Sequence, residues 1–594
     1  MSYRRKKLLA LFFAMALSMT AVAGCTGIKS STGNVVSSET ETNAEETSAQ
    51  SEAGTFSSAD MFTERDLAGT YEESGAVYVT LSDDGIAGET DGVVIDGQMV
   101  TITAEGTYIF SGTLSEGQIV VDADNAKVQI VFDNVDITCA SSAAVYVKSA
   151  EKVFVTLAEG SQNTLRNTDE YVAIDDNNID AVIFAKSDLT LNGTGSLTII
   201  SAEGHGIVSK DDLKIIGGTY DITAAGHALS GKDSVRIADG TFILTAEKDG
   251  IHAENADDEE KGYIYIADGD FTITSDGDGV DASNIVQIED GTFDITAGGG
   301  AANSLKTHES DVPGGPGGGM PQNGEKLDGE SMPQMGEKPD GENMPQDTTT
   351  DESGTSTKGI KAGGGMYLNG GTYQIDSADD SIHSNANITI ADGTYTLATG
   401  DDGVHADDAL IVNGGTITVT ESYEGLEGLA VTINDGTIDI TASDDGINTA
   451  GEKMELNGGY IHILAGGDGV DSNGDLTING GEIYIDGPSD NGNSAIDYGD
   501  RSSAYVNGGM LVAIGSSGMA EVMSDSSKQE VLMVKLGEQM EAGDVELTDN
   551  EGNVIVSYTA LKTYDCVIIS TAEVESGATY TLTTSGTTTE VTAE

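Results

Sequence analysis

The sequence predicts an all-β protein built on a right-handed parallel β-helix, a solenoid of about 22 residues per coil, with a small C-terminal β unit. Three observations indicate this fold. A glycine followed by Thr and then Tyr, Phe or Ile recurs at nearly constant spacing, and apolar residues alternate with other residues between its copies. The chain also has 78 Gly, no Trp and few aromatic residues, which suits many short strands and tight turns.

Residues 1–25 are typical of a signal peptide. Four basic residues, from Arg4 to Lys7, precede an apolar run at 8–17 that is too short to span a membrane, and small residues lead to Cys25. The resemblance to bacterial lipoproteins implies that Cys25 becomes the lipidated N-terminus. We therefore expect a protein that is exported and lipid-anchored to the outer face of the cell membrane. Residues 26–57 hold almost no large apolar side chain and are predicted to form a disordered tether.

Residues 58–200 are predicted to form an N-terminal cap and the first coils of the β-helix. Within them, residues 128–138 (VQIVFDNVDIT) and 152–160 (KVFVTLAEG) show the same alternation of apolar residues in looser periods.

Residues 201–514 are predicted to be the main β-helix, since the glycine phrase recurs there mostly every 21 to 23 residues. In one period, residues 410–412 and 416–420 read as strands separated by an Asn-Gly-Gly turn. Successive coils should stack about 4.8 Å apart. The phrase begins at Gly218, Gly240, Gly269, Gly291, Gly371, Gly393, Gly415 and Gly436, with looser copies at Gly459, Gly481 and Gly509.

Two further segments depart from the repeat. Residues 301–357 are rich in Gly, Pro and Met without periodic apolar positions, so they are predicted to form a flexible insertion between two coils. Residues 515–594 contain the strand-like runs VLMVKL, NVIVSY, DCVIIS and TYTLTT and are predicted to cover the open end of the helix.

The charge of the chain restricts its partners. It has 27 Lys and Arg against 100 Asp and Glu, a formal net charge of −73. Nucleic acid and anionic lipid are therefore poor partners for this surface, whereas cations are good ones. After Cys25, only Cys139 and Cys566 remain, which does not indicate a disulfide framework, although one bridge stays open.

A second recurring phrase consists of an acidic residue, Gly, an apolar residue and a polar residue. Its apolar third position should face the core, and we expect the first and fourth positions to form two outward columns. From Lys358 onward its copies start 22, 22, 22, 21 and 23 residues apart, so equivalent residues should stack. The copies begin at Asp249, Asp278, Lys358, Asp380, Asp402, Glu424, Asp445 and Asp468, and end on His252, Asp281, Lys361, His383, His405, Glu427, Asn448 and Asp471.

Stacked carboxylates about 5 Å apart repel each other by roughly 1 kcal/mol in water and by several times more at a partly shielded surface. Ca²⁺ offsets such repulsion and tolerates irregular oxygen ligands. Plain Asp-Gly turns are the alternative, but they do not explain why a second acid precedes the phrase at Asp379, Asp401 and Asp444. No EF-hand loop is present. The predicted Ca²⁺ ligands are Asp278, Asp281, Asp379, Asp380, Asp401, Asp402, Asp407, Glu424, Glu427, Asp444, Asp445, Asp468 and Asp471.

The segments GTYIFSGTLSEGQIVVDADNAKVQIVFDNVDIT, KGIKAG, DDSIHSN, GDDGVHADDALIVNGG, SYEGLEG and ASDDGIN carry a resemblance. Together they resemble the carbohydrate-binding domain family of clostridial cell-surface β-helix proteins, over about residues 60–510. That family is similar in fold to calcium-dependent pectate lyases. The resemblance implies a right-handed β-helix, bound Ca²⁺, and binding of cellulose or an acidic plant polysaccharide such as pectin.

Four side chains are the predicted carbohydrate contacts: Lys361, His383, His405 and Tyr423. The ring of Tyr423 lies beside the acid column, where it can stack on a sugar. For His383 and His405, acidic neighbours without a nearby Cys favour a solvated or sugar-facing pair over a zinc site.

We favour polysaccharide binding without catalysis, and two alternatives remain open. The first is a calcium-dependent lyase acting by β-elimination, in which Lys361 is the base and Lys306 and Lys358 are weaker candidates. A lysine that merely compensates the acid stack is the competing and preferred interpretation of Lys361. The second alternative is a structural or adhesive surface rod that uses Ca²⁺ only for stiffness.

Overall fold

The structure is a computed structural model that describes residues 55–306 and 356–593, except residues 89 and 500. The predicted signal peptide, Cys25, nearly all of the tether and most of the 301–357 insertion lie outside the described residues. None of the helices in the two described ranges has the length and apolar character needed to cross a membrane.

The first elements are two short helices, α1 (Ser58–Met61) and α2 (Glu64–Leu67), followed by strands. Strands β1 to β12 are Val77–Leu81, Val93–Asp96, Met99–Ile102, Gly106–Leu114, Gln118–Asp122, Lys127–Thr138, Val145–Ser149, Lys152–Leu157, Gln162–Asn167, Ala181–Ala185, Asp188–Gly193 and Ser196–Ser201. Strands β13 to β24 are His205–Ser209, Asp212–Ile215, Thr219–Ala224, Leu229–Gly231, Ser234–Ile237, Thr241–Ala246, Ile251–Ala253, Tyr263–Ile266, Asp270–Ser275, Val280–Ala282, Val286–Ile288 and Thr292–Ala297, and a 3₁₀ turn follows at Ala301–Asn303.

The chain resumes after the insertion with strands β25 to β43. These are Ile360–Ala362, Met366–Leu368, Thr372–Ser377, Ile382–Ser384, Ile388–Ile390, Thr394–Thr399, Val404–Val412, Thr416–Glu421, Leu426–Ile433, Thr437–Ala442, Ile447–Thr449, Met454–Leu456, Tyr460–Ala465, Val470–Ser472, Leu476–Ile478, Glu482–Asp486, Ile496–Tyr498, Ala504–Val506 and Met510–Gly515. The last strands, β44 to β49, are Leu532–Met540, Gly543–Thr548, Val554–Ala560, Tyr564–Ser570, Thr579–Thr584 and Thr587–Thr592.

The coils stack through parallel pairing of equivalent strands. Strand β25 pairs with β28, β26 with β29 and β27 with β30, all parallel, and the same pattern repeats along the chain from β4 to β43. Each regular coil thus contributes one strand to each of three faces: a short-strand face of three-residue strands, a middle face, and a long-strand face of six-residue strands. The predicted parallel β-helix is confirmed. Because β24 pairs directly with β27, the insertion lies between two adjacent coils.

The interior is filled by files of identical or similar side chains. On the long-strand face, six rings stack with neighbouring centroids 4.6 to 5.3 Å apart. This spacing is that of hydrogen-bonded strands, so the register of the backbone sets the stacking of the rings. Among the tyrosines that follow the glycine phrase, Tyr220, Tyr373 and Tyr395 are buried, whereas Tyr460 is 41% exposed. The stacked rings are Tyr220, Phe242, Phe271, Phe293, Tyr373 and Tyr395.

The glycine phrase marks the turn that precedes each long strand. Gly371 (φ 100°), Gly393 (φ 120°) and Gly415 (φ 88°) adopt positive φ, as do the other predicted copies. A residue with a Cβ atom is strained at positive φ, so glycine is favoured at this turn. The turn occurs once per coil, which explains why the glycine phrase repeats with the period of the coils.

Residues 55–67 lie along the outside of the middle face. The backbone N–H of Phe56 donates to Gln287 Oε1 at 2.6 Å, although the prediction places residue 56 in the disordered tether. At the other end of the segment, Asp66 is fully buried and pairs with Lys152 Nζ at 2.6 Å. Thr190 Oγ1 donates to the same carboxylate at 2.8 Å. The segment therefore crosses several coils, and a buried ion pair fixes one end.

Strands β44 to β49 include the four runs that the sequence assigned to the C-terminal unit. Strand β47 pairs antiparallel with β43, the last strand of the long-strand face, and with β44. The remaining four strands form a separate sheet in the order β46-β45-β48-β49. Cys139 and Cys566 are both buried and free.

We predict that Asp66→Asn loosens residues 63–67. Although burial by itself raises the pKa of Asp66, the ion pair with Lys152 and the hydrogen bonds of Thr63 and Thr190 lower it to about 2. A depressed pKa means that the contribution, about 2 kcal/mol, is present above about pH 4 and is lost as the pH falls toward 2. Hydrogen exchange of these amides should be roughly 30- to 100-fold faster in the variant at neutral pH. The gap should close toward pH 2, and Asp60→Asn, at an exposed position of α1, should leave exchange unchanged. A gap independent of pH would contradict this assignment.

Candidate functional site

The acidic phrase lies at the entry to each strand of the short-strand face. In Asp402-Gly403-Val404-His405, the first two residues form a bend and β31 begins at Val404. The side chain of Val404 is fully buried and that of the next residue is half-buried, so the fourth position faces outward as predicted.

The fourth positions form one continuous column. His252 pairs with Asp281, Asp281 with Lys361, and each further copy with the next in the predicted order as far as Asp471. We call these residues the outer column: His252, Asp281, Lys361, His383, His405, Glu427, Asn448 and Asp471.

The first positions also form a column, which we call the inner column, but the prediction that they face outward is wrong. Asp278, Asp380 and Asp402 are only 2%, 1% and 5% exposed. They lie two residues before the inward apolar position, and the two-residue alternation of a strand places both positions on the same side. The column is therefore a buried edge below the outer column. Its members are Asp249, Asp278, Lys358, Asp380, Asp402, Glu424, Asp445 and Asp468.

Backbone groups satisfy part of this buried charge. Each inner-column aspartate accepts a backbone N–H from the next coil, for example Asp278 N to Asp249 Oδ1 at 2.9 Å and Asp468 N to Asp445 Oδ1 at 2.6 Å. The glycine of the phrase is needed for close packing. A Cβ on Gly403 would lie 2.5 Å from the carbonyl oxygen of Gly425 in the next coil.

A third file runs beside the inner column. The backbone N–H of Tyr423 donates to the carbonyl of Asp401 at 2.6 Å, and that of Asp444 donates to the carbonyl of Tyr423 at 3.0 Å. Tyr423 therefore takes the place that Asp379, Asp401 and Asp444 hold in other coils. Its ring is half-buried beside the predicted acid column.

Lysines neutralise the centre of the edge. Lys358 Nζ lies 2.8 Å from Asp379 and 2.7 Å from Asp380. Lys306 Nζ lies 2.6 Å from Asp379 and also contacts Asp401. Two ammonium groups therefore lie among the carboxyl groups of Asp379, Asp380 and Asp401, where a metal ion would otherwise bind.

Lys361 is held in the same way. Its Nζ lies 3.3 Å from both Asp278 Oδ2 and Asp281 Oδ1. Burial alone lowers the pKa of Lys361, but the two carboxylates raise it above its usual value. The ammonium form is therefore favoured, as expected of a lysine that compensates the acid stack.

The two predicted carbohydrate-contacting histidines also face carboxylates. His383 Nδ1 lies 2.8 Å from Asp380, and its Nε2 is 3.0 Å from Asn385 Oδ1. His405 Nδ1 lies 3.2 Å from Asp402 and 3.3 Å from Glu427. Burial lowers the pKa of His405, but these carboxylates and Asp380 raise it to about 10.

Asp407 is exposed on β31, and its Oδ1 lies 3.6 Å from His405 Nε2. It lies on the solvent side of the outer column and does not join the inner carboxylates.

The C-terminal part of the edge is different. Ligand oxygens of Asp445, Asp468 and Asp471 lie within 4.8 Å of one another. Among the described residues, no Lys, Arg or His forms an ion pair with any of the three. Burial, and then repulsion from adjacent carboxylates including Asp444 and Asp497, raise the pKa of Asp445 to about 8, of Asp468 to about 7 and of Asp471 to about 6. These oxygens fit a hard divalent cation, and we call them the acidic triad.

Glu424 lies one coil before the acidic triad. Burial, followed by the charges of Asp402 and Glu427, raises its pKa well above the usual value. Its Oε2 accepts a hydrogen bond from Asn448 Nδ2 at 2.9 Å, so an amide instead of a cation satisfies this carboxylate.

The sequence analysis missed two members of the inner column. His205 and His227 precede Asp249 by 44 and 22 residues and stack in the same file, with ring centroids 4.9 Å apart. The 22-residue spacing could have revealed both histidines. The acidic phrase requires an acid at its first position, however, so copies that begin with His do not match it.

A family model, a relative and a solved structure are similar to this chain. A family model described as "Carbohydrate-binding domain-containing protein" matches residues 96–403 and 401–549. A relative of the same description from Acetivibrio thermocellus is 40% identical over 139 residues, which are 23% of this chain and 49% of the relative. The chain thus matches about half the length of that relative. A solved structure of the polysaccharide lyase-like protein from C. thermocellum, a gadolinium derivative, is 36% identical, with a TM-score of 0.37 over 38% of this chain and 92% of that chain.

We predict that Asp468→Asn weakens Ca²⁺ binding by at least about tenfold, because one anionic ligand of the acidic triad is lost. In wild type, Ca²⁺ at 100 times its dissociation constant should add about 2.7 kcal/mol of stability, and at the same Ca²⁺ concentration the variant should lose at least about half of this gain. Without Ca²⁺ the variant should melt no lower than wild type, since it relieves charge repulsion and keeps Oδ1 as an acceptor for the backbone of Ser494. Thermal melts with and without chelator measure both effects.

The control is Asp435→Asn, which removes one exposed charge at another corner. An equal loss of the Ca²⁺ effect in this control would assign the effect to net charge and not to the triad.

Proposed function

Because the chain belongs to the family of carbohydrate-binding domain-containing proteins, we propose that it binds a polysaccharide with the help of Ca²⁺ and does not cleave it. The observation that supports calcium binding is the acidic triad, where one buried carboxylate, Asp468, and two half-buried carboxylates, Asp445 and Asp471, have no basic partner among the described residues. The polysaccharide class that fits best is an acidic plant polysaccharide such as pectin, with cellulose as the neutral candidate.

Calcium at the triad fits the donor set. Asp445, Asp468 and Asp471 offer only oxygen atoms, and no sulfur or imidazole lies in the group. A bound Ca²⁺ supplies positive charge that offsets their repulsion and can attract the carboxylate of a uronic acid. On this proposal, the same ion stabilises the edge and recruits an anionic sugar.

Sugar contacts are proposed along the outer column. The side chains of Lys361 and His405 are 26% and 20% exposed, so each retains a face toward solvent. Both are cationic and can donate hydrogen bonds to hydroxyl or carboxylate oxygens. Tyr423 adds a half-buried ring next to the same face, and His383, with 12% of its side chain exposed, contributes mainly its edge.

We propose the absence of catalysis because of the protonation state of Lys361. A β-elimination base must be neutral to remove a proton. The ammonium of Lys361 lies between Asp278 and Asp281, which favour its charged form, so it is poorly suited to act as the base.

We predict that His405→Ala and Tyr423→Ala each reduce retention on immobilised polygalacturonate by about 5- to 10-fold, since one charge-assisted hydrogen bond or one ring contact is worth about 1 to 1.4 kcal/mol. Retention should require Ca²⁺ and should be unchanged in Tyr78→Ala, an exposed tyrosine of β1. Affinity chromatography measures retention, and absorbance of the unsaturated product detects cleavage.

Absorbance that rises with wild type and disappears in Lys361→Ala would replace this function by a lyase. No retention on cellulose, pectin or peptidoglycan would instead favour a structural rod.

The location of the protein is a further part of the proposal. A signal peptide at 1–25 with Cys25 as its lipidation site would hold the chain at the outer face of the cell membrane through the N-terminal lipid. We predict that Cys25→Ala moves the protein from the membrane fraction to the soluble fraction of cells, because the covalent lipid is lost. Retention of the variant in the membrane fraction after a salt wash would contradict lipid anchoring.

A further inference from the structure

Two histidines and an aspartate meet at the N-terminal part of the inner column. His227 Nδ1 lies 2.9 Å from Asp249 Oδ2, and His252 Nδ1 lies 3.0 Å from the same oxygen. Ligand atoms of all three residues lie within 4.8 Å of one another. Their donor set, two imidazoles and one carboxylate, differs from the all-oxygen set of the acidic triad.

The fold holds these groups in place. Asp249 Oδ1 accepts the backbone N–H of Asp278 at 2.9 Å, which leaves Oδ2 directed at the imidazoles. The rings of His227 and His252 stack with centroids 4.1 Å apart and planes 9° apart. Parallel pairing of β16 with β19 fixes the register of the two coils. Such support of the ligand side chains is typical of protein metal sites.

A second observation points to a ligand at these side chains. His252 Nδ1 is buried and has no hydrogen-bond partner of acceptable geometry. It nevertheless faces two carboxylate oxygens, Asp249 Oδ2 and Asp281 Oδ2, the latter at 3.2 Å. His227 Nδ1 accepts a long hydrogen bond, 3.3 Å, from the backbone N–H of Asp249 and also lies 2.9 Å from Asp249 Oδ2. A metal ion among these nitrogen and oxygen atoms would bind them in place of a proton on the imidazole.

In the second histidine cluster, His383 Nδ1 is likewise buried without a hydrogen-bond partner, but the carboxylate beside it is already paired with a lysine. Asp380, beside His383, accepts Lys358 Nζ at 2.7 Å, so an ammonium ion already occupies its free side. Among the described ion pairs, the partners of Asp249 are the two histidines. This ammonium ion distinguishes the two clusters, although both place two histidines beside an aspartate.

We propose that His227, Asp249 and His252 form a site for a divalent transition metal, with Zn²⁺ the best fit and Asp281 as a possible fourth ligand. Ligands of a tetrahedral Zn²⁺ with bonds of about 2.0–2.1 Å lie about 3.4 Å apart, close to the separations of 2.9, 3.0 and 3.2 Å found here. Imidazole nitrogen selects Zn²⁺ over Ca²⁺, whose ligands are oxygens. The chain would then hold two chemically distinct metals on one edge.

The site opens toward solvent through a cleft of about 390 Å³. The cleft gives a metal ion an entry path and room for a water or anionic ligand on its open side. Three lysines, Lys210, Lys232 and Lys248, line it together with the rings of His205, His227 and His252.

Zinc binding to the full chain tests the proposal. The protein is stripped with chelator, supplied with excess Ca²⁺ to fill oxygen sites, and titrated with Zn²⁺ by calorimetry. We expect one Zn²⁺ per chain, with affinity reduced by at least about 100-fold in His227→Asn and in His252→Asn. Asparagine retains an acceptor for the backbone of the next coil. Titration with Co²⁺ should give the visible absorption of a four-coordinate site in wild type.

His205→Asn is the matched control, because His205 stacks on His227 in the same file but lies outside the metal-binding group. Its Zn²⁺ affinity should equal that of wild type. Absence of Zn²⁺ binding in excess Ca²⁺, or undiminished binding by the His227→Asn/His252→Asn double variant, would overturn the proposal. Loss of binding in His383→Asn with full binding in His252→Asn would also overturn it and assign the metal to the other histidine cluster. Wild-type Co²⁺ spectra decide the question if a variant fails to fold.

Discussion

The vertical register of the parallel coils is the constraint on which the rest of the structure depends. Parallel pairing places each residue directly above its counterpart one coil away, about 4.8 Å distant. For apolar and aromatic residues this repetition is favourable, as in the stack that includes Phe242, Phe271 and Phe293. For Asp and Glu the same repetition accumulates like charge along a buried edge, which must be compensated.

The edge compensates its charge in several ways along its length. Backbone N–H groups of the next coil reach carboxylates such as Asp249 and Asp445. Lys306, Lys358 and Lys361 insert ammonium groups into the central coils. Histidines take this place toward the N-terminal side, and in the acidic triad the described residues supply no basic partner at all. The edge is therefore a series of different cation environments on one repeated backbone.

The residues that build the scaffold are distinct from the residues that vary along the edge. The backbone turn, the glycine and the inward apolar residue are the same in nearly every coil, as in Gly403-Val404 and Gly446-Ile447. The side chains in the inner and outer columns differ from coil to coil. A substitution there changes the local charge and ligand chemistry without altering the packed interior, which suits a surface that binds an extended polymer and metal ions.

The sequence by itself determined the class of fold, the period of the coils and the outer column, because each follows from local spacing: strand alternation, and a glycine that must adopt positive φ once per coil. It also identified the acids of the triad. Only the tertiary structure decided which acids are compensated. Lys306, near the start of the insertion, contacts Asp401, 95 residues later in the chain, and residues 55–67 lie along several coils. His227 meets Asp249 and His252 through stacking, not through a shared motif. Such contacts depend on which side chains from separate coils share a space, and a one-dimensional pattern of residue types does not encode that information directly.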